Sequence, residues 1–305
     1  MVNSAAPHPP RTSRGFATLM RLGIRAGLLL ACLPAWAGEL KVATWNLEWL
    51  TTRPAGDRSL PADVRPKGAA DIAVLRDYAE RLDADVVALQ EVDGPEVAAL
   101  VFPPERYALH FTRDRVVQRV GFAVRKGIAF EANPDLVGLA LNLDVPHPLR
   151  SGADITVRMD GNLLRLLAVH LKTGCNRDAL NRSDRPQCAS LRAQQAPLQG
   201  WIAERRRELA AFMILGDFNR WMDGRDQLLA GLMEAAPLAR ATAGKSNPCW
   251  GGAPFIDHIL AGGAARGWME ADSLRVLVYR ERGEDWKARL SDHCPVSVRL
   301  RLPDG

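Results

Sequence analysis

The chain has 305 residues, of which 47% are hydrophobic and 25% are charged. This composition predicts a globular protein with a large core and excludes a disordered or fibrous chain. Four arginines and no acids lie in the first 37 residues, and the remainder holds 36 basic and 35 acidic residues. The formal charge of +5 therefore gives no indication of a polyanionic partner.

Residues 1–37 have the organisation of a secretory signal peptide. Basic residues end at Arg25, a short apolar run follows, and an Ala-Trp-Ala sequence at 35–37 offers a cleavage site. The apolar run is shorter than the roughly 20 residues that a membrane span needs. We therefore expect an exported protein, periplasmic or secreted, with no transmembrane segment. A lipoprotein anchor at Cys32 is the less favoured alternative, and Met20 is an alternative start that leaves a compact signal.

Residues 38–305 are interpreted as one domain, because no repeat or long linker interrupts them. Short apolar runs rich in β-branched residues predict ten strands, at 40–44, 86–89, 107–111, 120–124, 155–157, 163–171, 212–215, 255–260, 274–278 and 296–302. Helical spacing appears within 72–82, 191–209 and 228–232, and the Pro- and Gly-rich stretch 52–68 predicts a surface loop. Many strands and few helices favour two stacked sheets covered by helices.

Polar side chains follow the predicted strands at the point where each apolar run ends. Four near-continuous apolar runs end in this way, in KVATWNLE, DVVALQE, LLAVH and FMILGDFN, and FIDH and SDH follow later in the chain. Because residues i and i+2 share a face of a strand, Asn46 and Glu48 can point into one space, as can Asp217 and Asn219. Six such clusters indicate a polar site rather than a set of unrelated strand ends.

Four cysteines remain if the first 37 residues are removed. An even number in an exported chain indicates two disulfides, with three possible pairings. We predict Cys175–Cys188, which would close a polar loop and stabilise the fold by about 3 kcal/mol in the chain-entropy treatment. Cys249 and Cys294 would form the second bond. Buried free thiols are the alternative. A zinc site is only weakly indicated, because the sequence has no CxxC pair.

Six blocks in the sequence carry a resemblance to a known group of enzymes. TWNLEWL, LQEVDG, VHLKTG, LGDFNR, FIDHIL and LSDHCPV, in this order, resemble the motif set of the endonuclease/exonuclease/phosphatase superfamily, over about residues 40–302. Its members include deoxyribonuclease I, exonuclease III-type repair enzymes, neutral sphingomyelinases and inositol polyphosphate phosphatases. The resemblance implies an α/β fold: a four-layer α/β/β/α sandwich of two packed mixed β-sheets flanked by helices, with the site at one edge.

The same resemblance implies a Mg²⁺ site, for which Mn²⁺ or Ca²⁺ are alternatives. The implied ligands are the oxygen donors of Glu91, Asn46, Glu48 and Asp292. A hard divalent cation prefers such donors and binds substrate phosphate as well.

The resemblance also implies a set of catalytic residues. Asp217 and Asn219 would position the attacking water and the phosphate. His293 would be the general base, oriented by Asp257, and His170 would be the second histidine of the deoxyribonuclease I branch. Together these groups imply in-line hydrolysis of a P–O bond without a covalent enzyme intermediate.

Three further residues are predicted from their position next to these blocks. Glu105 begins an E-R-Y sequence similar to the one that supplies a glutamate to the second histidine in the deoxyribonuclease branch, which predicts a Glu105–His170 pair. Lys172 and Arg220 directly follow catalytic blocks, so they are candidates to bind a substrate phosphate. Structural ion pairing is the alternative for both.

The substrate is indicated less directly than the reaction. Asp93 stands where the deoxyribonuclease branch carries an arginine that reads the minor groove, and an acid there repels phosphates. Arg113, Arg115, Arg119 and Arg125 are candidates for a basic lip, with a solvated hairpin as the alternative. The sequence favours an exported, metal-dependent phosphodiesterase, a DNA endonuclease acting as a monomer on nucleic acid. A phospholipid or small-phosphoester hydrolase and a non-catalytic binding module on the same fold are the alternatives.

Overall fold

The computed structural model describes residues 36–142, 145 and 147–304. Residues 1–35 of the predicted signal peptide, which include Cys32 and the alternative start Met20, lie outside the described residues. In the described part of the chain, no helix is both long and apolar enough to span a membrane.

The described part of the chain contains twelve strands and six α-helices. The strands are β1 (Trp36–Leu50), β2 (Val86–Val92), β3 (Tyr107–Phe111), β4 (Arg119–Arg125), β5 (Ala129–Ala132), β6 (Ala153–Met159), β7 (Asn162–His170), β8 (Ala211–Asp217), β9 (Leu238–Arg240), β10 (Asp257–Gly262), β11 (Arg275–Val276) and β12 (Val296–Pro303). The helices are α1 (Ala69–Leu82), α2 (Pro95–Ala98), α3 (Pro186–Arg207), α4 (Gln227–Ala235), α5 (Ala265–Trp268) and α6 (Glu284–Arg289).

The described strands form two mixed sheets of six strands each. The first has the order β11-β12-β1-β2-β4-β3 and the second the order β5-β6-β7-β8-β10-β9. Each sheet has one parallel pair, β1 with β2 and β7 with β8, while the other neighbours are antiparallel. The carboxyl ends of the two parallel pairs carry four of the six polar blocks.

Three apolar layers hold the sandwich together. Side chains of both sheets, such as Val42, Ile155 and Met213, form the layer between them. On the outer side of the first sheet, Leu75 of α1 packs in one cluster with β-strand residues, and Trp201 of α3 does the same on the second sheet. Alternation along each strand sends successive side chains to these two sides. The result is the predicted four-layer sandwich, with helices on both outer faces.

The predicted fold class is confirmed, and the differences lie in short elements. All ten predicted strands are present, but β5 and β9 were not predicted, because three- and four-residue strands carry too little periodicity to detect. Residues 52–68 have no helix or strand, as predicted, yet the Lys67 side chain is buried rather than solvated.

Both predicted disulfides are present in the structure. Cys175 is bonded to Cys188 and Cys249 to Cys294. The first closes the loop that leads into α3. The second ties the segment before β10 to the residue after His293, so it joins two parts of the polar edge.

Candidate active site

A cleft of about 530 Å³ opens at the edge where the parallel strands end. Strand register brings the polar residues to it: His170 at the end of β7 lies opposite Asp217 of β8, and Asp217 lies opposite Asp257 of β10. Asn46 of β1 lies opposite Gln90, the residue before Glu91. Strand pairing therefore aligns five of the six predicted blocks, three in the second sheet and two in the first.

Gly216 allows the close approach of β7 and β8 at this edge. Its φ is +152°, and a Cβ at this position would lie 1.9 Å from the carbonyl oxygen of Val169. A larger residue would therefore push the two strands apart next to His170 and Asp217. The glycine of the GDFN block serves to bring these two side chains together.

Asp217 is the hub of the site and is 1% exposed. Its Oδ2 accepts hydrogen bonds from the side-chain amides of Asn46 and Asn219, both at 3.1 Å, and its Oδ1 accepts one from the Asn219 backbone N–H. The Nε2 atoms of His170 and His293 lie 3.6 and 3.7 Å from the same Oδ2. Burial raises the pKa of Asp217 to about 7.

His293 and Asp257 form the predicted pair. The ring Nδ1 lies 2.7 Å from Asp257 Oδ2, which leaves Nε2 facing Asp217. Burial by itself lowers the pKa of His293, but the charges of Asp257 and Asp217 outweigh it and raise the pKa well above its ordinary value. Tyr279 fixes the backbone here, since its hydroxyl donates to the His293 carbonyl at 3.0 Å.

The predicted Glu105–His170 pair is wrong. Glu105 is exposed and precedes β3 at the end where Tyr107 lies opposite Arg125, whereas the site lies beyond the other end of this sheet. In the described residues the buried Nδ1 of His170 has no hydrogen-bond partner. The three-residue match was too short to fix the position of Glu105 in the fold.

A buried arginine that was not predicted stands beside His170 instead. Arg150 is 6% exposed; it donates to the His170 carbonyl at 3.2 Å and to Gln118 Oε1 at 2.9 Å. Burial, followed by the charges of Arg150 and His293, lowers the pKa of His170 well below its ordinary value. His170 is therefore a neutral imidazole next to a fixed guanidinium.

Glu91 lies among the predicted metal ligands, and Asn46 contacts it through the side-chain amide nitrogen. Glu91 accepts from the side-chain amide of Asn46 at 3.0 Å, from Gln118 at 2.5 Å and from the backbone N–H of Trp49 at 3.2 Å. The Asn46 oxygen accepts the backbone N–H of Glu48. Asn46 thus bridges the carboxylates of Glu91 and Asp217 rather than presenting an oxygen to the cleft.

Glu48 and Asp292 line the same cleft, with Lys67 behind them. Glu48 Oε2 accepts the backbone N–H of Asp292 at 3.1 Å and lies 3.6 Å from Lys67 Nζ. Burial raises the pKa of Glu48 to about 7. The charge of Lys67 opposes this shift, and the charges of Asp292 and Glu91 add to it. The pKa of Lys67 is lowered by burial. Both shifts show that this side of the cleft is largely withdrawn from water.

The two predicted phosphate contacts have different outcomes. Lys172 lines the cleft, as the prediction requires. Arg220 does not: it is 3% exposed, and its guanidinium is held by Asp226 at 2.6 Å and by the carbonyls of Cys175 and Asp178. Its charge is therefore used within the fold, which was the structural alternative.

The donor set fits a divalent cation. Glu91, His170 and Asp217 offer ligand atoms within 4.8 Å of one another, as do Asp217, Asp257 and His293. Burial, together with the charges of neighbouring carboxylates, raises the pKa values of Glu48 and Asp217, and a bound cation would favour their charged forms. Carboxylate oxygens facing an open cleft also leave room for water and phosphate, which Mg²⁺ requires.

Comparisons with known proteins agree with this fold. The profile of the Endonuclease/Exonuclease/phosphatase family matches residues 43–293, which include every catalytic block. No curated protein matches the chain.

Solved structures share the fold at low identity. TDP2 from C. elegans is 16% identical, with a TM-score of 0.56 over 87% of this chain and 75% of that one. A 3′ phosphatase NExo variant from Neisseria, bound to a product DNA hairpin, is 18% identical, with a TM-score of 0.57 over 86% and 99%. The human Nocturnin catalytic domain with a bound sulfate is 16% identical, with a TM-score of 0.53 over 88% and 95%. By its family profile and its architecture, the chain belongs to the Endonuclease/Exonuclease/phosphatase family.

Proposed function

We propose that this chain is an exported, Mg²⁺-dependent phosphodiesterase that cleaves DNA within the strand. The observation that carries the proposal is the convergence of His170 and His293 on one oxygen of Asp217, with Glu91 beside them in an open cleft. Two imidazoles and several carboxylates around one space suit the hydrolysis of a phosphate ester. Two solved structures with the same fold, TDP2 from D. rerio and NExo from Neisseria, are complexes with product DNA, which favours nucleic acid as substrate.

Glu91, Glu48 and Asp292 are the residues that would hold the cation. A bound Mg²⁺ would supply Lewis-acid polarisation of a phosphoryl oxygen. The side-chain amide nitrogen of Asn46 donates to both Glu91 and Asp217 and so fixes the positions of these two carboxylates. Preorganisation of this kind lowers the cost of arranging charges during the reaction.

His293 would take the proton from the attacking water at Nε2. Asp257 occupies Nδ1, fixes the ring and stabilises the imidazolium that forms. Because the surrounding carboxylates raise its pKa, the fraction of His293 with a free Nε2 increases as the pH rises. The rate at a fixed metal concentration is therefore expected to rise with pH above neutrality.

His170 and Arg150 would act on the phosphoryl oxygens from the other side. His170 is neutral, so it can donate a hydrogen bond without adding charge. Arg150 brings a fixed positive charge to the carbonyl side of the same residue. Both favour the extra negative charge of the transition state over the ground state.

Export is supported by the two disulfides, because such bonds persist in oxidising compartments. It also agrees with the signal-like segment at 1–37, whose removal would leave a mature chain from residue 38.

A substrate panel tests the proposal. Purified protein is assayed with Mg²⁺ on plasmid DNA, RNA, sphingomyelin and bis-p-nitrophenyl phosphate, beside His293→Ala and the control Glu105→Gln. Nicking of plasmid by wild type and the control, with a loss of about 10²- to 10⁴-fold in His293→Ala, is expected for removal of a general base. Hydrolysis of sphingomyelin without any nicking would reject the nuclease and favour the phospholipid alternative.

A further inference from the structure

A second cleft of about 470 Å³ adjoins the candidate active site. Trp49, Gln118 and His147 line both cavities and therefore lie at the boundary between them. Beyond these residues the second cleft is lined by Arg53, Arg113, Arg115 and Arg119. We call this second cavity the arginine cleft.

The acids in the arginine cleft are already bound to other groups. Asp93 accepts from the Thr51 hydroxyl at 2.8 Å and from Arg53 at 2.7 and 3.1 Å. Asp114 accepts from the backbone N–H and the hydroxyl of Ser151. The predicted repulsion of phosphates by Asp93 is therefore offset by Arg53, and the cleft keeps a positive charge.

Arg113 and Arg115 supply exposed positive charge to the cleft. Within the described residues, neither guanidinium has a carboxylate within 4.0 Å. A guanidinium without a carboxylate partner remains available for bidentate binding of a phosphate.

Arg119 is held in place without being neutralised. Its Nη2 donates to the Asp93 backbone carbonyl at 2.9 Å, and its buried Nε has no partner in the described part of the chain. Gly94 makes room for it, since a Cβ there would lie 1.9 Å from Nη2, and the φ of +105° also favours glycine. The backbone thus positions a charge at the wall of the cleft.

The side of the active site formed by Asn176 and Asn219 has a different charge balance. The cavity lined by the residues that follow them contains three arginines and three aspartates, Arg177, Arg220, Arg225, Asp178, Asp223 and Asp226. A chain of phosphates that extends from the scissile position would therefore be attracted to the arginine cleft and not to this side.

Trp49 stands at the opening between the two cavities. Its backbone N–H is fixed by Glu91, and its ring meets that of His147 edge-on, with centroids 6.2 Å apart. Aromatic side chains in such a place can contact the sugar or base between two phosphates.

We propose that the arginine cleft binds the phosphate adjacent to the scissile phosphate on the same nucleic-acid strand. The inference rests on the proposed phosphodiesterase function and names its substrate as a strand with at least two phosphates. A phosphocholine lipid fits poorly, because its cationic headgroup would face several arginines. The cleft also makes the site asymmetric, so only one of the two neighbouring phosphates is bound there.

The test uses short single-stranded oligodeoxynucleotides with one cleavable linkage. In two versions, a neutral methylphosphonate replaces the neighbouring phosphate on the 5′ or the 3′ side. We expect one replacement to lower kcat/KM about tenfold, as for loss of one charged hydrogen-bonded contact, and the other to have little effect. In Arg113→Gln/Arg115→Gln, the sensitive replacement should no longer matter.

Two controls distinguish an effect of the arginine cleft from a general loss of positive charge and from damage to the catalytic groups. Arg206→Gln/Arg207→Gln removes the same charge from exposed positions on α3 and should behave like wild type. Hydrolysis of bis-p-nitrophenyl phosphate should be unchanged in both double variants. Equal losses on this small ester and on the oligonucleotide, or insensitivity of wild type to both methylphosphonates, would overturn the proposal.

A binding measurement keeps this inference distinct from the proposed function. If wild type cleaves no phosphodiester, the proposed function fails. Fluorescence anisotropy with labelled versions of the same oligonucleotides then tests whether the arginine cleft binds the neighbouring phosphate. The cleft is supported if wild type binds one methylphosphonate oligonucleotide more weakly than the other, while Arg113→Gln/Arg115→Gln alone binds more weakly overall and no longer distinguishes the two. Equal binding by all variants refutes it.

Discussion

Replacement of His258 by glutamine is expected to change the acid stability of the protein. His258 is 1% exposed and follows Asp257 on β10. Its Nε2 lies 2.9 Å from the Arg220 carbonyl, which can only accept, so this nitrogen carries the proton. Its Nδ1, 2.6 Å from the Thr242 hydroxyl, then accepts a hydrogen bond from it. A second proton at Nδ1 would reverse this hydrogen bond, with the hydroxyl then accepting, and would place a charge on a ring that is buried from water.

The magnitude follows from the pKa of this group. Burial lowers the pKa of His258 from 6.5 to about 4. The unfolded chain therefore binds the extra proton first, so stability is full above pH 6.5 and falls as the pH drops toward 4. Between pH 7.5 and 4.5 the loss from this group alone is about 2–3 kcal/mol.

Urea unfolding at pH 7.5 and 4.5, with EDTA present, measures this loss. The drop in unfolding free energy between the two pH values should be about 2–3 kcal/mol larger in wild type than in His258→Gln, because other groups titrate equally in both. His147→Gln, at an exposed histidine, is the matched control and should keep the wild-type dependence. The same drop in wild type and His258→Gln would refute the reasoning.

Three other predictions test the structural findings. Glu105→Ala should leave hydrolysis of bis-p-nitrophenyl phosphate unchanged, and a large loss would restore Glu105 to the site. The variant Cys249→Ser/Cys294→Ser should lose hydrolysis at temperatures where circular dichroism still shows a folded protein, because that bond joins two parts of the polar edge; parallel loss of both signals would contradict it. Arg220→Met should lower the free energy of unfolding by about 3–5 kcal/mol, since it leaves Asp226 buried and unpaired, and a change below 1 kcal/mol in urea unfolding would argue against this ion pair.

The sequence allowed most of the fold and much of the site to be predicted, because both depend on local patterns. Apolar runs ending in polar residues located β1, β2, β7 and β8, and the parallel pairs then brought those ends together. His293 and Asp257 could be paired from the motif resemblance, and the structure places them 2.7 Å apart.

The residues that were missed lie outside such patterns. Arg150 and Lys67 stand in irregular segments, where an isolated basic residue gives no indication of burial. Their positions depend on long-range contacts, such as the approach of Lys67 to Glu48 and of Arg150 to His170. The prediction for Glu105 was wrong because a short local match does not show at which end of a sheet a residue lies.

The measurement that tests the central proposal most directly is a metal titration of bis-p-nitrophenyl phosphate hydrolysis. Wild type is stripped with EDTA and titrated with Mg²⁺, beside Glu91→Gln, while the melting temperature is followed in the same samples. We expect no hydrolysis in EDTA, its recovery with millimolar Mg²⁺ together with a higher melting temperature, and neither effect in Glu91→Gln. Full hydrolysis in excess EDTA, or an unchanged response in Glu91→Gln, would contradict the assignment of this edge as a metal-dependent phosphodiesterase site.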